Sequence, residues 1–61
     1  MPGPIVNPES VHVGDQLRSK PVGSKDWFIG EVVEVGPDRV ILRDAERRRY
    51  VRDWDEVETV K

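Results

Sequence analysis

The sequence predicts an all-β domain: a small closed sheet of five short strands, with one 3-10 turn before the last of them. Three observations carry this. Residues 26–42 read Asp-Trp-Phe-Ile-Gly-Glu-Val-Val-Glu-Val-Gly-Pro-Asp-Arg-Val-Ile-Leu, two β-rich runs joined by a Gly-Pro-Asp turn, which is the pattern of a hairpin. The chain has only 61 residues and no cysteine, so it forms one domain with a small core and no disulfide staple. The rest of the chain divides into short strand-like segments and one late helical turn, too little of any one kind for another architecture.

Met1 to Ser10 holds three of the five prolines and reads as a flexible arm, with Ile5 or Val6 placed to lie on the edge of the core. The domain proper spans residues 11–61. Val11 and Val13 alternate with His12, and Gly14-Asp15 supplies a turn. Leu17 leads a strand over Gln16 to Lys20, which Pro21 closes because it has no N–H for a ladder. Pro21 to Asp26 is a polar loop. Trp27 to Val35 is the longest strand, and Gly36-Pro37-Asp38-Arg39 turns it back. Pairing Val35 with Val40 sets Val33 opposite Leu42 and gathers Ile29, Val33, Val35, Val40 and Leu42 on one face. That register would leave Glu31 pointing inward unpaired. A bulge at Gly30 is therefore expected, turning Val32 inward and Glu31 to solvent.

Asp44 to Arg47 forms a second tight turn. Arg48 to Arg52 is the next strand, with Tyr50 and Val51 on opposite faces. Asp53 caps a helical or 3-10 turn over Asp53 to Glu56, and Val57 and Val60 belong to the closing strand. A helix over Arg47 to Val57 is the competing reading, resting on a thin stripe of Val51, Trp54 and Val57.

Ten basic and twelve acidic side chains give a net charge of −2, which argues against a general nucleic-acid coat. The lone histidine, His12, and the lack of cysteine argue against zinc sites, and no metal or cofactor is expected. The acidic turn of Asp53, Asp55, Glu56 and Glu58 lacks the ligand alternation and central glycine of a calcium loop. No apolar run approaches the roughly 18 residues that span a bilayer, so the expectation is a soluble cytoplasmic protein without membrane contact, a monomer or weak dimer. Catalysis has little to stand on: Ser10, Ser19, Ser24 and Thr59 share one histidine, and His12 beside Asp15 and Ser10 reads as a local polar turn. The chain is not expected to be an enzyme.

The candidate contact residues are Trp27, Phe28, Arg43, Arg48, Tyr50 and Arg52. Trp27 and Phe28 lie on opposite faces of one strand and cannot both enter a core this small, whereas Trp54 is placed to plug it. Arginines outnumber lysines seven to three, and guanidinium is the better fork for phosphate. In a strand, Arg48 and Arg52 share a face with Tyr50, an arginine–aromatic–arginine ladder suited to a phosphate and a stacked base. The plainer alternative has these arginines crossing to Glu31, Glu34 and Asp44 on neighbouring strands.

The order of parts resembles the SH3-like barrel. Lys25-Asp26-Trp27-Phe28 looks like the Trp-bearing strand start of Src-homology domains, and Gly30-x-Val32-x-x-Val35 looks like the matching strand of Tudor-like and KOW-like modules. The resemblance covers residues 11–61, is architectural, and implies binding rather than catalysis. Gln16-Leu17-Arg18-Ser19-Lys20 and Asp53-Trp54-Asp55 lack the tyrosines and proline of a proline-peptide groove, so only Trp27 matches one. Arg43 and Glu46 fall where a Tudor cage needs aromatic walls. A KOW-type module needs glycine-bearing loops and basic side chains, which this chain has.

The sequence thus points to a non-enzymatic binding module contacting nucleic acid or a nucleoprotein machine through the arginine strand and an exposed aromatic. The alternative is a protein–protein interaction or assembly module, a bacterial or phage accessory protein with no nucleic-acid contact. What separates the two is whether Arg48, Tyr50 and Arg52 form an open face or are paired internally.

Overall fold

Five antiparallel strands in the order β4-β3-β2-β1-β5 make up the fold, in a computed structural model that describes residues 6–60. They are β1 (Gln16–Ser19), β2 (Phe28–Val35), β3 (Arg39–Arg43), β4 (Arg49–Asp53) and β5 (Val57–Thr59), with 3-10 turns at Pro8–Ser10 and Trp54–Glu56. Among the described residues β4 pairs only with β3 and β5 only with β1. Backbone hydrogen bonds therefore do not close the sheet, in contrast to the closed ring expected. The three-residue turn Trp54–Glu56 carries the chain from one edge to the other. Segment 47–57 contains no long helix; Tyr50 and Arg52 alternate with Val51 along a strand instead.

The β2–β3 hairpin is in the expected register at its turn, Val35 opposite Val40 and Glu34 opposite Ile41, and then shifts. Val32 faces Leu42 and Glu31 faces Arg43, leaving Val33 as the extra residue. The bulge thus lies at Val33 rather than Gly30, with the expected outcome: Val32 is fully buried and Glu31 exposed. It also corrects the inner face, because the parity of β2 changes at the bulge. Val32, Val40 and Leu42 point inward, while Ile29 and Val35 stay exposed. Gly30 has a different duty. A Cβ there would meet Leu42 Cβ at 3.0 Å, the Arg43 carbonyl at 3.1 Å and the Phe28 ring at 3.1 Å, so the missing side chain lets Phe28 lie over the strand.

Among the described residues the core is seven aliphatic side chains, Val6, Val11, Leu17, Val32, Val40, Leu42 and Val57, with Phe28 and Trp54 packed partly buried against it. Val6 comes from the segment read as an arm. Asn7 Oδ1 accepts the Glu9 N–H at 3.0 Å, capping the turn that brings Val6 down. Residues 1–5, including Ile5, lie outside the described residues. Gly14, at φ 100°, donates its N–H to the Val32 carbonyl at 2.9 Å, and Asp15 O accepts from Val32 N at 2.7 Å. His12 belongs to this turn, its N–H donated to Asp15 Oδ2 at 2.9 Å.

Trp54 sits on the rim of the core rather than plugging it. Its ring covers the end of the β2–β3 hairpin and its Nε1–H donates to the Gly36 carbonyl at 3.2 Å. Glu56 Oε1 accepts the Asp53 N–H at 2.9 Å, tying the turn off. Val60 is exposed, outside the closing strand.

Truncation should separate centre from rim. Leu42→Ala removes a fully buried side chain and is expected to cost about 3–5 kcal/mol, most of the stability of so small a domain. Trp54→Ala should cost only about 2 kcal/mol and leave a folded protein. Urea unfolding of the two variants checks the order; a Trp54→Ala chain unfolded in buffer would put that ring back at the centre.

Candidate functional site

Strand alternation decides what β4 offers a ligand. Arg49, Val51 and Asp53 point outward, Tyr50 and Arg52 inward. Arg52 is 6% exposed. Its Nε–H donates to Ser19 Oγ at 2.8 Å and Nη1 to the Val51 carbonyl at 2.9 Å. The guanidinium lies 5.3 Å from the Tyr50 ring centre and 5.8 Å from that of Phe28. Those two rings pack at 4.9 Å and 52°, a tilted contact of the favourable kind.

Lys25 also approaches them, its Nζ 5.1 Å from each ring centre and 3.5 Å from Asp44 Oδ2. Burial opposes the Lys25 ammonium, but hydrogen bonding and charge interaction with Tyr50, joined by Asp44, outweigh it and raise its pKa. Asp44 moves the other way. The Arg48 N–H bonded to its carboxylate lowers its pKa against the opposing effect of burial, with Tyr50, the Glu46 N–H and Lys25 adding to it. Phe28, Tyr50 and Arg52, with Lys25, are thus brought together as a cluster of two cations on two partly buried rings.

The remaining predicted residues lie elsewhere. Arg48 falls in the turn before β4, its side chain 74% exposed, so it does not share a strand face with Tyr50 and Arg52 and the ladder is not completed. Arg43 is on the outer face, where its Nη2 donates to Glu31 Oε1 at 2.8 Å. That is the cross-strand pairing the plainer alternative described. Trp27 is half exposed, opposite Phe28 as alternation requires.

Pairing register orders the outer face into rows. Glu58, Arg18 and Ile29 form one across β5, β1 and β2; Gln16, Glu31, Arg43 and Arg49 form the next; Glu34, Ile41 and Val51 form a third. Arg18 donates from Nη2 at 2.7 Å and Nε at 3.2 Å to Glu58 Oε1, and its guanidinium stands 5.4 Å from the Trp27 ring centre. The ring is held from one side and open on the other. Trp27, Ile29 and Val51 are 50%, 52% and 56% exposed.

Lys25, Arg18 and Ser19 are the participants that sequence reasoning missed. Ser19 carried a usable signal: it falls on the same side of β1 as Leu17, and a hydroxyl facing the core needs a partner. Among the described residues no group of three or more His, Cys, Asp or Glu is placed to hold a metal, and no helix is long and apolar enough to cross a membrane. No protein family matches the chain, and neither does any curated protein or solved structure.

The stack implies a pH dependence. Asp44 has a lowered folded pKa, so the stability it confers is fully present above the ordinary carboxylate value and is lost as pH falls through the lower folded one. Asp44→Ala should depress the Tm at about pH 6, with the gap to wild type closing toward about pH 2. A gap that stays constant over that range would mean the carboxylate charge plays no part in holding the turn.

Proposed function

We propose that the chain is a non-enzymatic interaction module, a small SH3-like barrel in architecture, that meets a protein partner through its outer face around Trp27, Arg18 and Ile29. One observation carries this: the aromatics and arginine that suited a stacked base, Phe28, Tyr50 and Arg52, pack against one another, whereas Trp27 and Ile29 remain exposed. A tryptophan fixed by an arginine is the kind of anchor that dominates interfaces, because it offers a large apolar area and loses little freedom on binding. The adjoining row of Glu31, Arg43 and Arg49 adds charges that select a partner. In this reading the module acts in the cytoplasm as a monomer or weak dimer, in the manner of a bacterial or phage accessory protein. Nucleic acid stacked on β4 has no place in it, since Tyr50 and Arg52 face inward.

Immobilised wild-type chain and a Trp27→Ala/Ile29→Ser variant, compared in nuclease-treated extract of the native host, test this reading. Both exposed residues lie off the core, so the variant should keep the wild-type dichroism and melt within a few degrees of it. The expected result is a discrete protein retained by wild type and lost by the variant. Retention that is equal for both, or that nuclease abolishes, would contradict it.

A further inference from the structure

At the β3–β4 end of the sheet the chain breaks two local rules in adjacent places. Asp44 O accepts the Arg47 N–H at 2.9 Å and Asp44 N donates to the Arg48 carbonyl at 3.0 Å, which closes a short hairpin loop. Its left-handed position is held by Arg47 at φ 68°. Loops of this kind ordinarily put glycine there, since a side chain crowds its own backbone at positive φ. Just beyond the loop, Arg43 and Arg49 stand directly opposite across β3 and β4, a like-charge pair that destabilises a sheet.

The carboxylates nearby relieve only part of this charge, that of Arg43. Glu31 is engaged by Arg43. The Asp44 side chain is 7% exposed and bonded to Lys25 and to the Glu46 and Arg48 amides. Glu46 reaches Arg48 only at 4.0 Å, with both side chains about three-quarters exposed. Among the described residues no carboxylate lies within 4 Å of the Arg47 or Arg49 guanidinium. Arginine in a glycine slot and arginine opposite arginine both weaken the fold. A bound anion offsets the second.

We propose that Arg47, Arg48 and Arg49, with Arg43 behind them, form a binding site for successive phosphate groups of a polyanionic chain. Guanidinium matches phosphate oxygens two at a time, and an anion between Arg43 and Arg49 replaces their repulsion with attraction. The nearest aromatic, Tyr50, is inside the stack, so the site reads charge and not bases. A nucleic-acid backbone and inorganic polyphosphate present the same chemistry. The site is independent of the outer-face reading above and lies away from Trp27.

Fluorescent single-stranded and duplex oligonucleotides, with inorganic polyphosphate as competitor, test it at two salt concentrations. Micromolar binding is expected at low salt, with a log–log salt slope of roughly −2 to −3 for three contacts. Arg47→Gly is the decisive variant. It should raise the Tm by several degrees while weakening binding several-fold and shrinking the slope by about 0.7–0.9. Arg49→Ala should weaken binding likewise, Glu46→Gln should tighten it, and Trp27→Ala should leave it unchanged. Oligonucleotide binding points to nucleic acid as the source, and binding of polyphosphate alone points to polyphosphate; either upholds the site. No binding of any of them at low salt, or binding indifferent to Arg47→Gly and Arg49→Ala, overturns it.

Discussion

A buried guanidinium joins the two halves of this fold. Strands β4 and β1 are not neighbours in the sheet, yet the Arg52 Nε–H reaches across the interior to Ser19 Oγ at 2.8 Å. Ser19 Oγ in turn donates to the Lys20 carbonyl at 2.9 Å. Beside this link, the Lys20 N–H donates to the Glu56 carbonyl at 2.8 Å and Lys20 Nζ to the Asp55 carbonyl at 3.0 Å. Strands that the ladder leaves unpaired are thus linked by side chains and by one 3-10 turn. Seven aliphatic residues among those described are a thin core, and a domain this small is marginally stable by burial alone. Taking a cation out of water is costly unless its donors are satisfied. Here two of the five N–H donors have acceptors and two aromatic ring centres lie 5.3 and 5.8 Å away, without a carboxylate within 4 Å among the described residues.

Once Arg52 and Tyr50 face inward, the two-residue period of β4 fixes the rest. Arg49 and Val51 must face out, and Arg47 and Arg48 fall in the turn. The arginine-rich stretch is therefore two things: an internal strut at one end and an exposed basic loop at the other. The outer face inherits Trp27 and Ile29 for the same reason, because Phe28 and Gly30 take the inward positions of β2. Lys25 and Asp44 then tie the long β1–β2 loop to the basic turn. The order of that turn depends on the same stack that hides Tyr50.

The central hairpin was legible because β-branched runs flank a Gly-Pro-Asp turn, and its end register followed from pairing Val35 with Val40. The bulge was legible only as a necessity, since Glu31 had to leave the core. Its place was not, because Val33 looks like any strand valine whereas Gly30 looks like a defect. Gly30 is instead set by Leu42 Cβ and the Arg43 carbonyl across the hairpin together with the Phe28 ring, and the first two are tertiary contacts that no local pattern reports. Of the candidate site, Trp27 as the exposed member of its pair was readable from alternation. Arg52 was not, because composition places arginine outside; only the shared parity of Tyr50 and Arg52, set against a core-facing Ser19, carried the signal. Val6 was readable as a residue laid on the core edge, and Pro8, in a stretch that reads as an arm, opens a 3-10 turn that Asn7 caps.

A double-mutant cycle between Ser19 and Arg52 tests most directly whether that strut holds β4 to β1. Ser19→Ala, Arg52→Met and the double variant would be compared by urea unfolding, methionine keeping much of the arginine stem in place. A hydrogen bond between a charged donor and a buried hydroxyl predicts a coupling of about 1.5–3 kcal/mol. Additive effects, with a coupling under about 0.3 kcal/mol, would contradict the account and leave the sheet held by its core alone.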